Sequence, residues 1–344
     1  MAVVKADAYG HGAVRVASAL ADADGFAVAR LDEALALRAA GIAKPVLLLE
    51  GVTSVGELAQ ALHAGLDLVV HDLSQVEMLE QADAADGGAS GARRPVVWLK
   101  VDTGMNRLGF RPEAALAARA RLLAGPVAPR ELRLMTHLAR ADEADATPTE
   151  AQLVRFAALV AGWTAVAGAP PVTSIGNSAG TLRGAASQGD WIRPGLALYG
   201  ASPFAGRSAT ALGLAPVMTL ETEVIALREV PTGEGVGYGA AWRAARSSRI
   251  AILAAGYADG LPRHLPSGAP VLFAAGRAPL AGRVSMDMVA VDVTDLPPVA
   301  VGERAVLWGR GLPVDEVAAA AGTIAYELLC AVAPRVPRTE RAGH

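Results

Sequence analysis

Short apolar runs alternate with alanine- and leucine-rich stretches over roughly the first two hundred residues. The intervening stretches, such as Leu31–Ala40, Ser74–Ala82 and Glu150–Val166, have the length and composition of helices. Strands that alternate with helices form a parallel sheet, and eight such units predict a (β/α)8 barrel. The runs predicted to be its strands are Ala2–Ala6, Gly25–Ala29, Pro45–Glu50, Leu66–His71, Pro95–Asp102, Leu132–Leu138, Val172–Asn177 and Trp191–Tyr199.

After Tyr199 the pattern changes to alternating polar and apolar positions separated by glycine and proline turns, which is typical of β-rich structure. Helical character returns only at Val314–Ala321 and Tyr326–Val332. We therefore predict a barrel domain over residues 1–213 and a mostly β domain over residues 214–344. The strands predicted for the second domain are Val217–Leu227, Arg249–Ala254, Pro270–Phe273, Met288–Val293 and Arg304–Leu307.

Four polar residues lie near the C-terminal ends of predicted barrel strands: Lys5, Lys100, His137 and Asn177. Active sites of such barrels lie at this end, because the loops from strand to helix open there. Arg193 falls early in its run, so we expect the eighth strand to end before Tyr199.

A barrel of this kind needs a helix over the seam between its last and first strands. The eighth run leads directly into the β-rich region, and only Met1 precedes Ala2. We therefore expect that the chain lacks an N-terminal segment of roughly 30 residues that carries this helix.

Composition narrows the class of protein. With 344 residues, 52% hydrophobic and 19% charged, the chain has the composition of a folded protein, and no apolar stretch is long enough for a membrane span. A net charge of −3 argues against nucleic acid or an anionic membrane as partner. The single cysteine, Cys330, excludes a disulfide framework and fits a reducing compartment, so we expect a cytoplasmic protein. The histidines show no metal-ligand spacing, and no metal is predicted.

Lysine is scarce in a chain that otherwise uses arginine for positive charge: the three lysines are Lys5, Lys44 and Lys100. Arginine cannot readily lose a proton or form a Schiff base, whereas lysine can do both. Lys5 leaves an apolar run and enters a Tyr-Gly-x-Gly turn, which suits a Schiff base with an aldehyde cofactor. The Tyr9 hydroxyl and the backbone N–H groups of the turn can donate hydrogen bonds to a phosphate.

From Val3 to Gly12 the sequence resembles the pyridoxal-phosphate lysine motif of alanine racemases. Further segments resemble that family's motifs in the family's order, and the resemblance extends from residue 2 to Arg338. These segments are Lys100–Gly109, Met135–Ala139, Asn177–Ala179, Arg193–Gly200, Val236–Gly239, Gly256–Gly260, Gly282–Asp287 and Tyr326–Cys330.

The resemblance implies a pyridoxal-phosphate-dependent interconversion of L-alanine and D-alanine that supplies D-alanine for peptidoglycan. Two bases serve opposite faces of the substrate. Lys5 holds the cofactor and serves the D-isomer, whereas Tyr238 comes from the partner subunit of a homodimer and serves the L-isomer. A phenol with an ordinary pKa of ~10 needs cationic neighbours to act as a base, and in the family these correspond to His137 and Arg193.

The resemblance also assigns the remaining contacts. An arginine at the pyridine nitrogen, here Arg193, cannot accept a proton, which weakens the electron sink and favours proton exchange over transamination. Lys100 resembles a lysine that family members carbamylate, and the resulting anion positions Arg107. The implied cofactor contacts are Tyr9, His137, Asn177, Ser178, Arg193, Gly195, Leu196 and Tyr326, and the implied substrate contacts are Arg107, Tyr257 and Met286, with Lys100 and Asp287 in support.

Other interpretations stay open at this point. From the residues alone, Tyr238 is a packed turn aromatic, Arg193 a structural strand-end residue and Lys100 an ion-paired lysine. Among related enzymes, a racemase of serine or another small amino acid fits the motifs, whereas Tyr257 and Met286 disfavour a decarboxylase of large basic amino acids. Non-catalytic barrels that bind the cofactor lack a β domain, and a truncated copy that binds cofactor without activity is a further alternative.

Overall fold

The computed structural model of the chain describes residues 1–82 and 94–341. The chain forms two compact units. The first contains Met1–Leu198 and Pro203–Ala205, and the second contains Tyr199–Ser202 and Gly206–His344.

Seven parallel strands of the first unit form one sheet, in which each strand pairs with the next along the chain. Each strand overlaps a run that the apolar pattern predicts. The strands are β1 (Ala2–Val3), β2 (Phe26–Val28), β3 (Val46–Leu48), β4 (Asp67–Val70), β5 (Val96–Lys100), β6 (Glu131–Met135) and β7 (Thr173–Ser174).

The segment 191–194 lies between β7 and β1 and closes the sheet into a barrel. On one side, Trp191 N–H donates to Thr173 O at 3.0 Å and Arg193 N–H donates to Gly176 O at 2.8 Å. On the other side, the Met1 amino group donates to Ile192 O at 3.0 Å and Val3 N–H donates to Pro194 O at 3.0 Å. The following residues, Leu196–Tyr199, form a 3-10 helix. The predicted barrel is therefore confirmed, and its eighth strand ends early as expected.

Seven right-handed helices follow the barrel strands in the described part of this unit. Side-chain caps mark several of their starts: Ser54 Oγ accepts from Glu57 N–H, and Asp72 accepts from Ser74 N–H. No helix in the described residues is long and apolar enough to cross a membrane. The helices are α1 (Ala13–Ala19), α2 (Leu31–Ala39), α3 (Val55–His63), α4 (Leu73–Gln81), α5 (Pro112–Ala124), α6 (Thr147–Ala167) and α7 (Ser178–Arg183).

An arginine between two indoles packs beside the middle of β5. The Arg133 guanidinium lies 5.1 Å from the Trp98 ring centre and 5.2 Å from the Trp191 ring centre, and both oxygens of Glu131 accept from it. Trp98 and Lys100 are two residues apart on β5, so they share a face of the sheet. This cation–π group therefore lies one layer below Lys100 and stabilises the part of β5 that carries the lysine.

The second unit is built around a six-stranded antiparallel sheet, so its mostly β character is also confirmed. The strands in order across this sheet are β13 (Gly276–Pro279), β12 (Pro270–Phe273), β15 (Arg304–Trp308), β8 (Leu220–Val230), β11 (Ser248–Leu253) and β14 (Val289–Asp292). Five of them overlap predicted segments, whereas β13 and the short hairpin of β9 (Gly235–Val236) and β10 (Trp242–Arg243) are additional. Two helices follow, α8 (Val314–Ala320) and α9 (Ala325–Ala331).

Candidate active site

Lys5 follows β1 and begins a left-handed turn. The next four residues, Ala6–Tyr9, all have φ between 50° and 53°, although none is glycine. Gly10 ends the turn at φ 78° and donates its N–H to Ala6 O and Ala8 O. This conformation costs an L-residue roughly 1–2 kcal/mol, so four in succession require support from their surroundings. The turn buries the Tyr9 side chain and leaves Lys5 partly exposed.

The Tyr9 ring packs against the backbone of Gly195, which follows the closing segment of the barrel. A Cβ at position 195 would lie 2.4 Å from the Tyr9 hydroxyl oxygen, so only glycine fits there beside tyrosine. Ser178 Oγ, at the first residue of α7, accepts from Gly195 N–H at 2.9 Å and from Ala197 N–H at 3.2 Å. The structure thus brings together Tyr9, Ser178 and Gly195, three residues expected to hold a phosphate.

Arg193 is buried at 4% exposure, and its hydrogen bonds go to neutral acceptors. Its guanidinium donates to Thr136 O at 2.7 Å, to Ile175 O at 3.2 Å and to Ser174 Oγ. Burial lowers the pKa of Arg193 to about 10, so the group keeps its charge at neutral pH. Among residues 1–82 and 94–341, no carboxylate accepts a hydrogen bond from Arg193, so this buried cation raises the positive potential of the site.

His137 lies next to this cation. Its Nδ1 is 3.3 Å from Nη2 of Arg193, and burial together with the charge of Arg193 lowers the pKa of His137 well below its usual value. Lys100, Arg107 and Lys5 lower it further. The imidazole is therefore neutral at physiological pH.

Lys100 ends β5 and belongs to the same group of positive charges. Burial lowers the pKa of Lys100 to about 8, and the charges of Arg193, Arg107 and Lys5 add to this effect, whereas Glu50 opposes it. Near neutral pH such a lysine therefore carries a free amine far more often than an ordinary lysine with a pKa of ~10.4. The amine can therefore act as a nucleophile near neutral pH.

Arg107 lies on a loop that returns to β5 and is fixed at its base. Phe110 N–H donates to Lys100 O, and Asp102 N–H donates to Phe110 O, both at 2.9 Å. Asp102 Oδ1 then accepts the N–H groups of Gly104 and Met105 at 2.9 Å and of Asn106 at 3.0 Å. These N–H groups lower the pKa of Asp102, so its carboxylate is ionised and holds the loop at neutral pH.

A polar cavity of about 530 Å³ opens beside this loop. Arg107 and Arg111 contribute positive charge to its wall, and Glu50, Asp72 and Asp102 contribute negative charge. Gln75 joins two of the lining loops, because its side-chain amide donates to Glu50 O at 3.1 Å and to Val52 O at 3.2 Å and accepts from His71 N–H at 2.8 Å.

The Asn177 side chain joins neighbouring segments of the barrel. Its Oδ1 accepts from Gly180 N–H at 2.9 Å, which caps α7, and its Nδ2 donates to Leu138 O at 3.3 Å. It therefore fixes the end of β7 beside the segment that carries His137. A contact between Asn177 and a cofactor stays a prediction.

Several buried polar residues that the sequence did not single out position this site. Gln152 of α6 donates to His137 O and to Thr103 Oγ1, both at 3.1 Å, and accepts from Ala139 N–H at 2.8 Å. Thr136 Oγ1 lies 2.8 Å from Thr103 Oγ1 and donates to Val101 O at 2.9 Å. The sequence signal for this role was a glutamine within the predicted helix Glu150–Val166. The sequence does not show which loop the side chain of this glutamine contacts.

The expected site residues of the second unit are exposed or partly exposed, and most of them lie on turns. Tyr238 is 67% exposed between Gly237 and Gly239, which have φ 68° and 70°. Met286 and Tyr257 are 54% and 39% exposed. Tyr326 lies at the second residue of α9 and is also partly exposed. These large side chains are therefore accessible to another molecule.

Two of these turns are tied together. Tyr257 N–H donates to Ser285 O and Ala258 N–H donates to Met286 O, both at 3.0 Å. A Cβ at Gly256 would lie 2.3 Å from both of those carbonyl oxygens. The Arg335 side chain adds a fork between Asp259 at 2.8 Å and Asp287 at 2.6 Å. Asp287 therefore helps to fix the position of Met286 relative to Tyr257.

Comparisons with known proteins agree over both units. Residues 1–203 match the family model "Alanine racemase, N-terminal domain", and residues 217–340 match "Alanine racemase, C-terminal domain". An alanine racemase of Azoarcus sp. (strain BH72) is 52% identical over 335 residues, which is 96% of this chain and 90% of that protein. An alanine racemase of Pseudomonas taetrolens is 50% identical over 341 residues, 98% of this chain and 91% of that protein.

A solved structure shows the same relationship. The biosynthetic alanine racemase of Pseudomonas aeruginosa is 50% identical and superimposes with a TM-score of 0.91 over 100% of this chain and 92% of that one.

Proposed function

The chain belongs to the alanine racemase family, a pyridoxal-phosphate-dependent family, and from this premise we propose that it interconverts L-alanine and D-alanine by a two-base mechanism. The observation that carries the proposal is the group of positive charges at the C-terminal ends of the barrel strands. Arg193, Arg107 and Lys5 all lower the pKa of Lys100 and of His137, so these positive charges lie near one another. Such a group suits an anionic cofactor and a substrate carboxylate.

The residues of the first unit fit pyridoxal phosphate. The Tyr9 hydroxyl, Ser178 Oγ and the Gly195 backbone lie together, because the absence of a Cβ at Gly195 lets the Tyr9 hydroxyl approach the backbone there. We assign the phosphate to this group, with Leu196 N–H as a further donor. Lys5 is the lysine whose amine would bind the cofactor aldehyde.

Racemisation requires that a proton leave Cα on one face and return on the other. Pyridoxal phosphate, when bound, supplies the delocalisation that stabilises the negative charge at Cα. Lys5 removes or returns the proton on the D-face, and Tyr238 does so on the L-face. The Arg193 guanidinium has only N–H donors and stays charged. It would therefore stabilise the pyridine nitrogen of the cofactor in its unprotonated form.

Tyr238 belongs to the second unit, and we propose that it serves the barrel of a partner chain in a homodimer. The exposure of its large side chain on a turn supports this assignment, because an exposed aromatic side chain is available to a partner chain. Met286 and Tyr257 then restrict the substrate to a small side chain, and Arg107 holds its carboxylate. In the cell, the product would be D-alanine for peptidoglycan, made in the cytoplasm.

The test is an assay of the purified chain with pyridoxal phosphate and L-alanine, in which D-amino-acid oxidase detects the D-isomer. The proposal predicts conversion of L-alanine, slower conversion of L-serine and none by the Lys5→Ala variant. Equal rates with L-serine would support a broader racemase, and no conversion of either would contradict the proposed function.

Borohydride reduction tests the role of Lys5 separately. Peptide mapping of the reduced protein should place the pyridoxyl group on Lys5, and a label on Lys44 or Lys100 would refute this assignment. For the shared site, mixing an inactive Lys5→Ala chain with an inactive Tyr238→Ala chain should restore activity through hybrid dimers. If exchange of subunits is demonstrated and no activity returns, each site is made within one chain.

A further inference from the structure

Glu33 connects the turn that carries Lys5 to the helix that follows the next barrel strand. It is the third residue of α2, and its carboxylate accepts three backbone N–H groups. Oε1 accepts from Ala6 at 2.6 Å, and Oε2 accepts from Ala29 at 2.8 Å and from Arg30 at 3.0 Å.

Only one of these contacts is explained by the helix. Arg30 is the N-cap of α2, and a glutamate at the third position commonly accepts the N–H of the N-cap residue. Ala29 directly follows β2 and precedes the helix, and Ala6 lies 27 positions before Glu33 in the chain. The carboxylate therefore serves the Lys5 turn as well as its own helix.

The Ala6 N–H belongs to the peptide group that joins Lys5 to Ala6. Its orientation fixes the backbone on the C-terminal side of Lys5 at the point where the left-handed turn begins. Because four L-residues in succession adopt an unfavourable φ, the turn keeps this shape only while its surroundings hold it. A charge-assisted hydrogen bond to an ionised carboxylate is stronger than one between neutral groups.

We propose that Glu33 is a positioning residue for Lys5. Its carboxylate holds the Ala6 amide and so maintains the turn from which the Lys5 amine reaches the cofactor aldehyde. The proposal rests on the proposed function only for the role of Lys5. The part that concerns the shape of the turn can be tested in the cofactor-free protein.

The chemistry of the site requires a carboxylate at position 33. Both oxygens of Glu33 face N–H donors, whereas a glutamine has one oxygen and one NH2 group. Whichever way the amide of Glu33→Gln turns, its NH2 group meets an N–H group. The variant keeps the size of the side chain and loses at least one of the contacts.

Asp32→Asn is the matched control. Asp32 precedes Glu33 in the same first turn of α2, and its substitution removes the same charge. The Asp32 side chain pairs with that of Arg30 at 3.2 Å, and the two side chains are 71% and 74% exposed. This variant should therefore leave the Lys5 turn unchanged.

Two measurements distinguish positioning of Lys5 from simple capping of α2. The first is hydrogen exchange of the backbone amides from Ala6 to Gly10 in the cofactor-free protein. The second is the dissociation constant of pyridoxal phosphate. For Glu33→Gln we expect exchange at Ala6 to be at least tenfold faster and cofactor binding to be about tenfold weaker, ~1.4 kcal/mol. Asp32→Asn should change both by less than about twofold.

A rescue variant keeps the test informative if Glu33→Gln folds poorly. Glycine adopts positive φ without strain, so Ala6→Gly should make the turn depend less on Glu33 and restore part of the cofactor affinity of Glu33→Gln. Faster exchange confined to α2, with unchanged exchange at Ala6 and unchanged cofactor affinity, would overturn the proposal, as would failure of Ala6→Gly to restore affinity in a folded double variant. If the unaltered protein binds no pyridoxal phosphate, the proposed function fails, whereas exchange at Ala6 still tests the role of Glu33 in the turn.

Discussion

Nη2 of Arg193 lies 3.3 Å from Nδ1 of His137, and this contact decides where the imidazole carries its proton. A guanidinium only donates hydrogen bonds, so Nδ1 accepts and the proton resides on Nε2. Because burial and the charge of Arg193 lower the pKa of His137 well below its usual value, the ring is neutral. Under the proposed function, His137 would stabilise the Tyr238 anion by donating a hydrogen bond, while the full positive charge comes from Arg193.

Gly195→Ala should weaken cofactor binding. The new methyl group would lie 2.4 Å from the Tyr9 hydroxyl oxygen and 3.1 Å from two ring carbons, so the tyrosine has to move. We expect the dissociation constant of pyridoxal phosphate to rise about tenfold or more, equivalent to at least ~1.4 kcal/mol. Titration of the cofactor, followed by its absorbance, measures the effect.

Gly56→Ala is the control for this substitution. Gly56 lies in α3, and a Cβ there would approach no atom closer than Ser54 Oγ at 3.9 Å. It should leave cofactor affinity unchanged and stabilise the protein by roughly 0.5–1 kcal/mol. Equal cofactor affinity in both variants would show that the Tyr9 hydroxyl takes no part in binding.

Lys100 should form a carbamate with carbon dioxide. With a pKa of about 8, the free amine is present near neutral pH and becomes the main form as pH rises through that value. The amine nitrogen bonds to the carbon of CO2 and releases a proton. With carbon-13 bicarbonate, we expect a carbamate signal in the NMR spectrum that grows between pH 7 and 9.

Lys100→Arg serves as the reference, because it keeps the positive charge and cannot form a carbamate. The signal should vanish in this variant. If it persists at full intensity, another amine is modified, and if the unaltered protein shows no signal, the carbamate assignment is wrong.

Asp67→Asn should stabilise the protein at neutral pH. Burial raises the pKa of Asp67 from 3.8 to about 6, although Arg130, Arg133 and Arg38 oppose this. The folded state therefore holds the proton more tightly than the unfolded state, and the free energy of unfolding falls as pH rises from about 4 to 6. At pH 7 the penalty amounts to as much as ~3 kcal/mol, which asparagine does not incur.

Thermal unfolding at pH 4.5 and pH 7.5 checks this prediction. The stabilisation by Asp67→Asn should be larger at the higher pH. Asp295→Asn is the control, since Asp295 is 81% exposed in its ion pair with Arg246 and should show a small effect at both pH values. Destabilisation by Asp67→Asn at pH 7.5 would show that the neighbouring arginines outweigh burial.

The apolar pattern was sufficient for the barrel, because parallel strands are buried on both faces and stand out between helical stretches. It did not reveal β13 (Gly276–Pro279), which has a glycine at one end and a proline at the other and lacks the usual strand composition. The hairpin of β9 and β10 is likewise too short to leave a periodic pattern.

The placement of Lys5, Lys100 and His137 at the ends of strands was predictable from the sequence, whereas their chemical roles stay predictions. The contacts that hold those residues in position could not be predicted from the sequence. Ala6, Ala8 and Tyr9 have no local preference for left-handed φ, since such residues favour the right-handed region. The contact of Glu33 with Ala6 depends on how two loops meet in space, which one sequence does not state.

The measurement that tests the account most directly is exchange of the α-proton of each alanine enantiomer in deuterated water by the Tyr238→Ala variant. The unaltered protein should exchange both enantiomers. Because Lys5 stays in place, the variant should still exchange D-alanine measurably, whereas exchange of L-alanine should nearly disappear. Equal loss of both exchanges, or equal retention of both, would contradict the assignment of Lys5 and Tyr238 to opposite faces of the substrate.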